Sequence, residues 1–199
     1  MTLSDITFSR NIVVKKHIAI CTLIVTILFI ASFIVGLVNA LNNLEVAEQS
    51  FDQFSQNFAF LGELNAVSIF FFIFLNNSIK TFIALISGFF FGIAPLLFVI
   101  TNGNIIGLVT AIAETKIGIS LVVASLLPHG IFEIPAILLA SGYGLWLGYR
   151  FFRMLAFKEP FKMYFSFAFR KYFQIILPML LIAAIIETFI TPRLIEYLR

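Results

Sequence analysis

The chain has 199 residues, a net charge of +3 and 61% hydrophobic residues, 26 of them phenylalanine. With a mean hydropathy of +1.06, it is too apolar to be a soluble domain of this length. The single cysteine, Cys21, excludes a disulfide framework and a cysteine-based zinc site within one chain. The long apolar runs instead predict an all-α integral membrane protein.

Five apolar runs are long enough to cross a bilayer, which predicts a polytopic bundle of about five transmembrane helices in one membrane domain, 1–199. A run of about 22 residues rises about 33 Å as a helix, enough to cross the hydrocarbon core. In chain order, the predicted spans are about 17–38, 79–100, 105–127, 131–149 and 172–190.

The segment between the first two spans predicts an amphipathic helix over about 43–63. Its apolar residues are spaced alternately by three and four, as one helical face requires: Leu44, Ala47, Phe51, Phe54, Phe58 and Leu61. The segment is also acidic. We expect it to lie along the outer membrane surface, to pack on a partner helix, or to cover its own bundle.

A short apolar segment, 66–75, follows and ends at Asn76 and Asn77. Ten helical residues rise only about 15 Å, too little to span. A short re-entrant or in-plane helix that breaks at the asparagine pair fits best. The alternative is one helix over 66–100, which at about 52 Å would overshoot the hydrocarbon core.

Nine of the eleven glycines lie between residues 88 and 148, and three pairs have GxxxG spacing: 88/92, 103/107 and 144/148. Small residues let membrane helices approach closely. This pattern predicts either a compact core of spans 2 to 4 or a dimer face. The expected partners are lipid, a second copy of the chain or other membrane proteins, and not nucleic acid.

Lysine and arginine predict the orientation. They flank the start of the first span and fill the connection between the fourth and fifth: Arg10, Lys15, Lys16, Arg150, Arg153, Lys158, Lys162, Arg170 and Lys171. The connection 39–78 has none. The positive-inside rule then places the N-terminus in the cytoplasm and the C-terminus outside, in the plasma membrane.

Ionisable and amide side chains inside such a chain are the candidates for function, because polar groups in hydrocarbon are costly. The predicted topology brings five of them to a similar depth near the outer face: Asn76, Asn77, His129, Glu133 and Glu187. His129 and Glu133 are four residues apart and share one helical face. Glu114 and Lys116 fall nearer the predicted midplane, as a secondary intramembrane pair.

Several roles for this cluster stay open. Its members can be structural, since a carboxylate near a helix N-terminus is favoured by the helix dipole. They can form a proton or ion relay, or bind a lipid head group or a partner helix. His129, Glu133 and Glu187 are also weak metal candidates, although the order is not the HExxH of metalloproteases. No catalytic residues are assigned, and no cofactor is expected.

Four pieces of the sequence carry a family resemblance: FLNNSIKTFIALISGFFFGI (74–93), NGNIIGLV (102–109), LPHGIFEIPAILLASGYGLWLG (127–148) and LPMLLIAAIIETFITP (177–192). Over 74–192 the chain resembles the stage II sporulation protein M (SpoIIM, DUF95) family. The pattern is an asparagine pair, a glycine-rich span, a PHGxxE element and a glutamate before Thr191-Pro192. The N-terminal third matches only in general layout.

The resemblance implies a polytopic scaffold that helps assemble an envelope-remodelling complex. The resulting prediction is a non-enzymatic membrane scaffold or assembly protein that acts in envelope organisation. The alternative is a transporter, channel or lipid-handling protein that uses the His/Glu/Asn cluster. A second alternative is an intramembrane metalloenzyme.

Overall fold

The computed structural model of the chain describes residues 3–56 and 59–198. Within these ranges the protein is a helical bundle without strands, as predicted. Its α-helices are α1 (Leu3–Asn42), α2 (Leu44–Gln56), α3 (Ala66–Ile86), α4 (Ile93–Ile117), α5 (Ile119–Phe157), α6 (Lys162–Lys171), α7 (Leu177–Ile185) and α8 (Thr191–Leu198). Short 3-10 turns occupy Ala59–Glu63 and Ser87–Phe89.

The last three helices form one continuous rod from Lys162 to Leu198. They are joined by two π-helical turns, Tyr172–Ile176 and Ile186–Ile190. In the described part of the chain, five helices are long and apolar enough to cross a membrane, namely Val13–Asn42, Ala66–Phe89, Ile93–Ile117, Ile119–Phe157 and Lys162–Leu198. The prediction of a multi-pass bundle with five spans is therefore confirmed.

The middle spans have different bounds from the predicted ones. The chain reverses at Phe91-Gly92 and at Gly118, inside the predicted spans 79–100 and 105–127. Gly92 and Gly118 both have φ of +78°, which glycine adopts without steric cost. Both turns are made of apolar residues, so hydropathy runs through them without a break. The helices therefore begin 12 or 13 residues earlier than predicted.

The predicted re-entrant segment 66–75 is wrong for the same reason. It is the first half of α3, which runs unbroken through Asn76 and Asn77 to Ile86. Asn65 caps the start of this helix, where its side-chain oxygen accepts a hydrogen bond from the Ser68 amide at 2.9 Å. The amide side chains at 76 and 77 leave the helix intact because they bond to one another and to a neighbouring helix.

The paired glycines pack the bundle internally. A Cβ atom on Gly103 would lie 2.2 Å from Ser32 Oγ, and one on Gly107 would lie 2.2 Å from the Phe33 carbonyl oxygen, so α4 meets α1 backbone to backbone. Glycines 88 and 144 form a similar contact between the turn after α3 and α5. The predicted compact core is thus the use that the structure shows for these glycines. A homodimer stays a prediction.

The amphipathic helix α2 covers its own bundle. Ala47 is buried and packs with Ala40, Ala111 and Ile112, while Phe51 adds to the same cluster. Phe54 and Phe58 of the predicted stripe lie outside the side chains that the structure describes. This packing favours the prediction that the helix covers its own bundle, although its opposite face stays exposed.

A charged and aromatic cluster holds α5 against α6 at the basic end of the bundle. The Arg150 guanidinium is buried and lies 4.2 Å from the Tyr164 ring centroid. Its Nη1 donates to Glu159 Oε2 at 3.5 Å, and Arg153 donates to Glu159 Oε1 from Nε at 3.0 Å and from Nη2. The connection between the last two spans, which carries Glu159, is therefore held against α5 by ion pairs with Arg150 and Arg153.

Acid is expected to loosen this connection. The hydrogen bonds from Arg153 hold the pKa of Glu159 below its ordinary value of 4.5. The pairing therefore stabilises the fold above about pH 4.5 and is lost as pH falls through the lower folded-state pKa. Between about pH 6 and pH 3, the melting temperature of Glu159→Gln should fall less than that of the wild type. Glu63→Gln, at an exposed acid, is the matched control, and equal falls for Glu159→Gln and the wild type would contradict the prediction.

Candidate functional site

A cavity of about 320 Å³ lies between α3, α4, α5 and the π turn Ile186–Ile190. Its walls include all five residues of the predicted polar cluster: Asn76, Asn77, His129, Glu133 and Glu187. The rest of the wall is mainly apolar, from side chains such as Phe72 and Ile106. The structure thus brings together residues that are up to 111 positions apart in the sequence.

The cluster lies deep within the bundle. Asn77 is the twelfth of the 21 residues of α3, about 16 Å from the start of that helix. His129 lies about 15 Å from the start of α5, and Glu187 about 16 Å from the end of α8. Alternating spans put these three helix ends on the same side. The three distances agree, so the cluster lies about 15–16 Å from that end of the bundle. Its position near the outer membrane face stays a prediction.

Side-chain amides orient one of the carboxylates. Asn77 Nδ2 donates to Glu133 Oε1 at 3.0 Å, and Asn76 Nδ2 donates to Asn77 Oδ1 at 3.2 Å. The asparagine pair therefore forms a short chain that ends on Glu133 and leaves its second oxygen available. Because both asparagines stand on a regular helix, their spacing from α5 is fixed by packing.

The three ionisable groups converge across the cavity. His129, Glu133 and Glu187 each offer one nitrogen or oxygen atom, and these atoms lie within 4.8 Å of one another. His129 and Glu133 come from successive turns of α5, which contains Pro128 and Pro135. Glu187 comes from a π-helical turn, a local widening of a helix that often marks functional sites.

The cluster is not saturated by hydrogen bonds. His129 Nδ1 is buried and has no hydrogen-bond partner. Glu187 accepts no hydrogen bond from any backbone or side-chain group that the structure describes. Polar groups so far inside a membrane protein are costly unless they are paired. The unused bonding capacity points towards a ligand in the cavity.

Glu114 and Lys116 do not form an intramembrane pair. They occupy the last turn of α4, and Lys116 Nζ lies 3.6 Å from Glu48 Oε1 of α2. The side chains of Lys116 and Glu48 are 48% and 41% exposed. Glu114 and Lys116 are thus exposed at the end of α4, whereas His129, Glu133 and Glu187 are partly buried.

Lys80 was not among the predicted site residues; it is an exposed residue on α3, one turn after the asparagine pair. It is the fifteenth of 21 residues in that helix, and it interacts electrostatically with Glu133. The predicted span began at residue 79, which made Lys80 an interfacial charge. The available signal was the mainly apolar segment 66–75 before the asparagines, because a helix that includes it places Lys80 in its interior.

An apolar groove of about 440 Å³ adjoins the cavity. It runs between α1, α4 and α5 and shares four lining residues with the cavity: Ile106, Leu126, Gly130 and Ile134. Thr110 is its only hydroxyl-bearing lining residue, and that hydroxyl donates to the Ile106 carbonyl at 2.7 Å. The polar cavity and the apolar groove thus share one wall.

The chain matches the family model for Stage II sporulation protein M over residues 25–192. It belongs to this family. The match confirms the resemblance found over 74–192 and extends it through most of the first span. This SpoIIM protein is also 31% identical over 175 residues to an uncharacterized protein of Methanocaldococcus jannaschii, an alignment that covers 86% of this chain and 93% of the relative. No solved structure matches the chain.

Proposed function

We propose that this SpoIIM protein is a lipid-handling membrane protein that binds an amphiphile, with the polar head in the cavity and the apolar tail in the groove. The observation that carries the proposal is the common wall of the two spaces, at Ile106, Leu126, Gly130 and Ile134. A ligand with both a polar and an apolar part would occupy both at once.

The chemistry of the two spaces supports this division. The cavity gathers carboxylates, an imidazole and amides in an apolar protein, where unsatisfied polar groups are costly. A head group that bonds to them offsets that cost. A hydrocarbon tail would enter the groove from the bilayer, where such tails are concentrated. Because it is already out of water there, its contribution comes from van der Waals packing against the groove wall.

Lipid analysis of the purified protein tests the proposal. Native mass spectrometry after mild detergent extraction should detect about one amphiphile per wild-type chain. Val123→Trp fills the groove, and Asn77→Leu removes a polar group from the cavity. Each should reduce the bound amphiphile about tenfold, the effect of losing about 1.4 kcal/mol of binding energy.

The matched control is Ile27→Trp, because Ile27 is 57% exposed on α1 and lines neither space. This variant should keep the amphiphile. A wild-type protein that carries no stoichiometric amphiphile, or equal retention in all four proteins, would rule out the proposal.

We propose a plasma-membrane location with the N-terminus in the cytoplasm and the C-terminus outside. The positive-inside rule supports this orientation, because Lys15, Lys16, Arg153 and Lys158 lie towards one side of the bundle. A scaffold role in envelope organisation, implied by the resemblance, is the second candidate. Its support is the face of α2 that points away from the bundle, where Val46 is 62% exposed.

Two single-cysteine variants test both of these proposals. In a Cys21→Ser background, Val46→Cys should react with a membrane-impermeant maleimide in intact cells, whereas Lys158→Cys should react only after permeabilisation. A bifunctional reagent at Val46→Cys should then cross-link two copies or a membrane partner. Labelling with the opposite sidedness would refute the orientation, and the absence of cross-links would count against the scaffold role.

A further inference from the structure

We infer that His129, Glu133 and Glu187 together bind one divalent transition-metal ion of the zinc class. The inference goes beyond amphiphile binding, because the metal site requires no ligand in the apolar groove. It rests on the geometry of the three side chains, on their charge and on the amides behind them.

The geometry suits one small ion. Zinc accepts imidazole nitrogen and carboxylate oxygen at about 2.0–2.2 Å, so two ligand atoms of a tetrahedral site lie roughly 3.4 Å apart. The three candidate atoms already lie within 4.8 Å of one another. A shift of about 1 Å at one or two side-chain ends closes the difference. Glu187 is free to make that shift, since no hydrogen bond from the described residues holds its carboxylate.

The charges also favour a divalent cation. Two carboxylates and a neutral imidazole carry a charge of −2, and a divalent ion brings the total to zero. Charge balance matters here because the cluster lies about 15 Å from the ends of membrane-spanning helices, where an uncompensated charge is costly. Lys80 is the nearby cation that interacts with Glu133, but its side chain is exposed and it supplies only one positive charge.

Asn77 is arranged as an outer support for the site. Its donation to Glu133 Oε1, backed by Asn76, fixes the carboxylate and leaves the other oxygen for the ion. Such supporting hydrogen bonds orient metal ligands and commonly change metal affinity by 10- to 100-fold. His129 offers a nitrogen that is buried and has no hydrogen-bond partner.

Three protein ligands leave a fourth position of a tetrahedral ion open, as in zinc sites that bind a further ligand. Here all three ligands line the cavity of about 320 Å³, which has room for such a further ligand. An oxygen atom of a cavity ligand would complete the coordination, whereas a purely structural zinc site would be closed by a fourth side chain.

Metal analysis of the full chain, purified without a histidine tag, tests the inference. After chelation and reloading with zinc alone, the wild-type protein should bind about one ion per chain. Cobalt in place of zinc should give the visible absorption of a tetrahedral site. His129→Asn, Glu133→Gln and Glu187→Gln should each weaken zinc binding at least about tenfold. Asn77→Leu should weaken binding without removing a ligand.

Two variants make the same chemical changes elsewhere. His17→Asn alters the other histidine, and Glu114→Gln alters an acid at the rim of α4. Both should bind zinc as the wild type does. A melting curve followed by the fluorescence of Trp146, the single and fully buried tryptophan, verifies that each variant is folded.

Two outcomes overturn the inference: a folded wild type that takes up no stoichiometric zinc or cobalt, and cluster variants that bind like the controls. Amphiphile content is measured on the same metal-free samples. Amphiphile retained without any metal binding would reject the metal site alone, and metal bound without amphiphile would reject the lipid proposal alone.

Discussion

Replacing Gly107 with alanine is expected to destabilise the bundle by about 3 kcal/mol or more, at the upper end of the usual cost of overpacking. The added Cβ would lie 2.2 Å from the Phe33 carbonyl oxygen and 2.7 Å from the Leu37 amide nitrogen. Both atoms belong to the backbone of α1, so no side-chain rotation relieves the clash. The two helices would have to separate, and the close packing along their whole crossing would be lost.

Gly130→Ala is the matched control for this prediction. A Cβ atom at Gly130 would have its nearest neighbour, Ile134 Cδ1, at 3.6 Å, an ordinary van der Waals distance. Alanine is also preferred over glycine inside a helix by up to about 1 kcal/mol. The melting temperature of Gly130→Ala, followed by Trp146 fluorescence in detergent, should equal or exceed that of the wild type. Equal melting of Gly107→Ala and Gly130→Ala would show that the α1–α4 crossing is not as tight as described.

Hydropathy was sufficient to predict the fold class, because a membrane helix must be apolar over its whole length and must satisfy its own backbone. It was insufficient for the bounds of the helices. The turns at Phe91-Gly92 and Gly118 are flanked by phenylalanine and isoleucine, so their apolar character matches that of the spans. What ends these helices is a positive φ at glycine, which a hydropathy average does not register.

The composition of the candidate site was predictable for a different reason. Consecutive spans cross the bundle in opposite directions, so the order of the spans fixes which residues lie at the same end. The predicted starts of the second and fourth spans were too late by 13 and 12 residues, and the positions of Asn76 and His129 along their helices changed by nearly the same amount. The structure still places Asn76 and His129 at one cavity, but farther from the helix starts than predicted. Glu114, predicted well inside its span, lies instead in the last turn of α4, beside the exposed pair of Lys116 and Glu48.

The apolar groove was beyond prediction from the sequence. It exists because α1, α4 and α5 leave a gap next to the close contact that Gly103 and Gly107 of α4 make with α1. Which apolar side chains face that gap depends on helix rotation, and nearly uniform hydrophobicity conceals it: α4 has almost no preferred apolar face. The common wall of groove and cavity likewise follows from three-dimensional packing.

The second large effect concerns Glu187, where methionine is expected to stabilise the metal-free protein by about 1–3 kcal/mol, the cost of a desolvated group without a hydrogen-bond partner. Glu187 is half-buried and accepts no hydrogen bond from the described residues, so methionine removes a desolvated carboxylate and keeps its approximate size. It also removes the repulsion between Glu187 and Glu133. Thermal or denaturant unfolding in the presence of a chelator would measure the gain.

Arg150→Met provides the opposite case. Arg150 is buried too, but it contacts the Tyr164 ring and pairs with Glu159, so losing it removes a desolvated cation–π contact and an ion pair and should cost about 2 kcal/mol. A structural role for Glu187 would make both substitutions destabilising. Opposite signs would mean that the Glu187 carboxylate costs the fold stability, which is the expected signature of a group that binds a ligand.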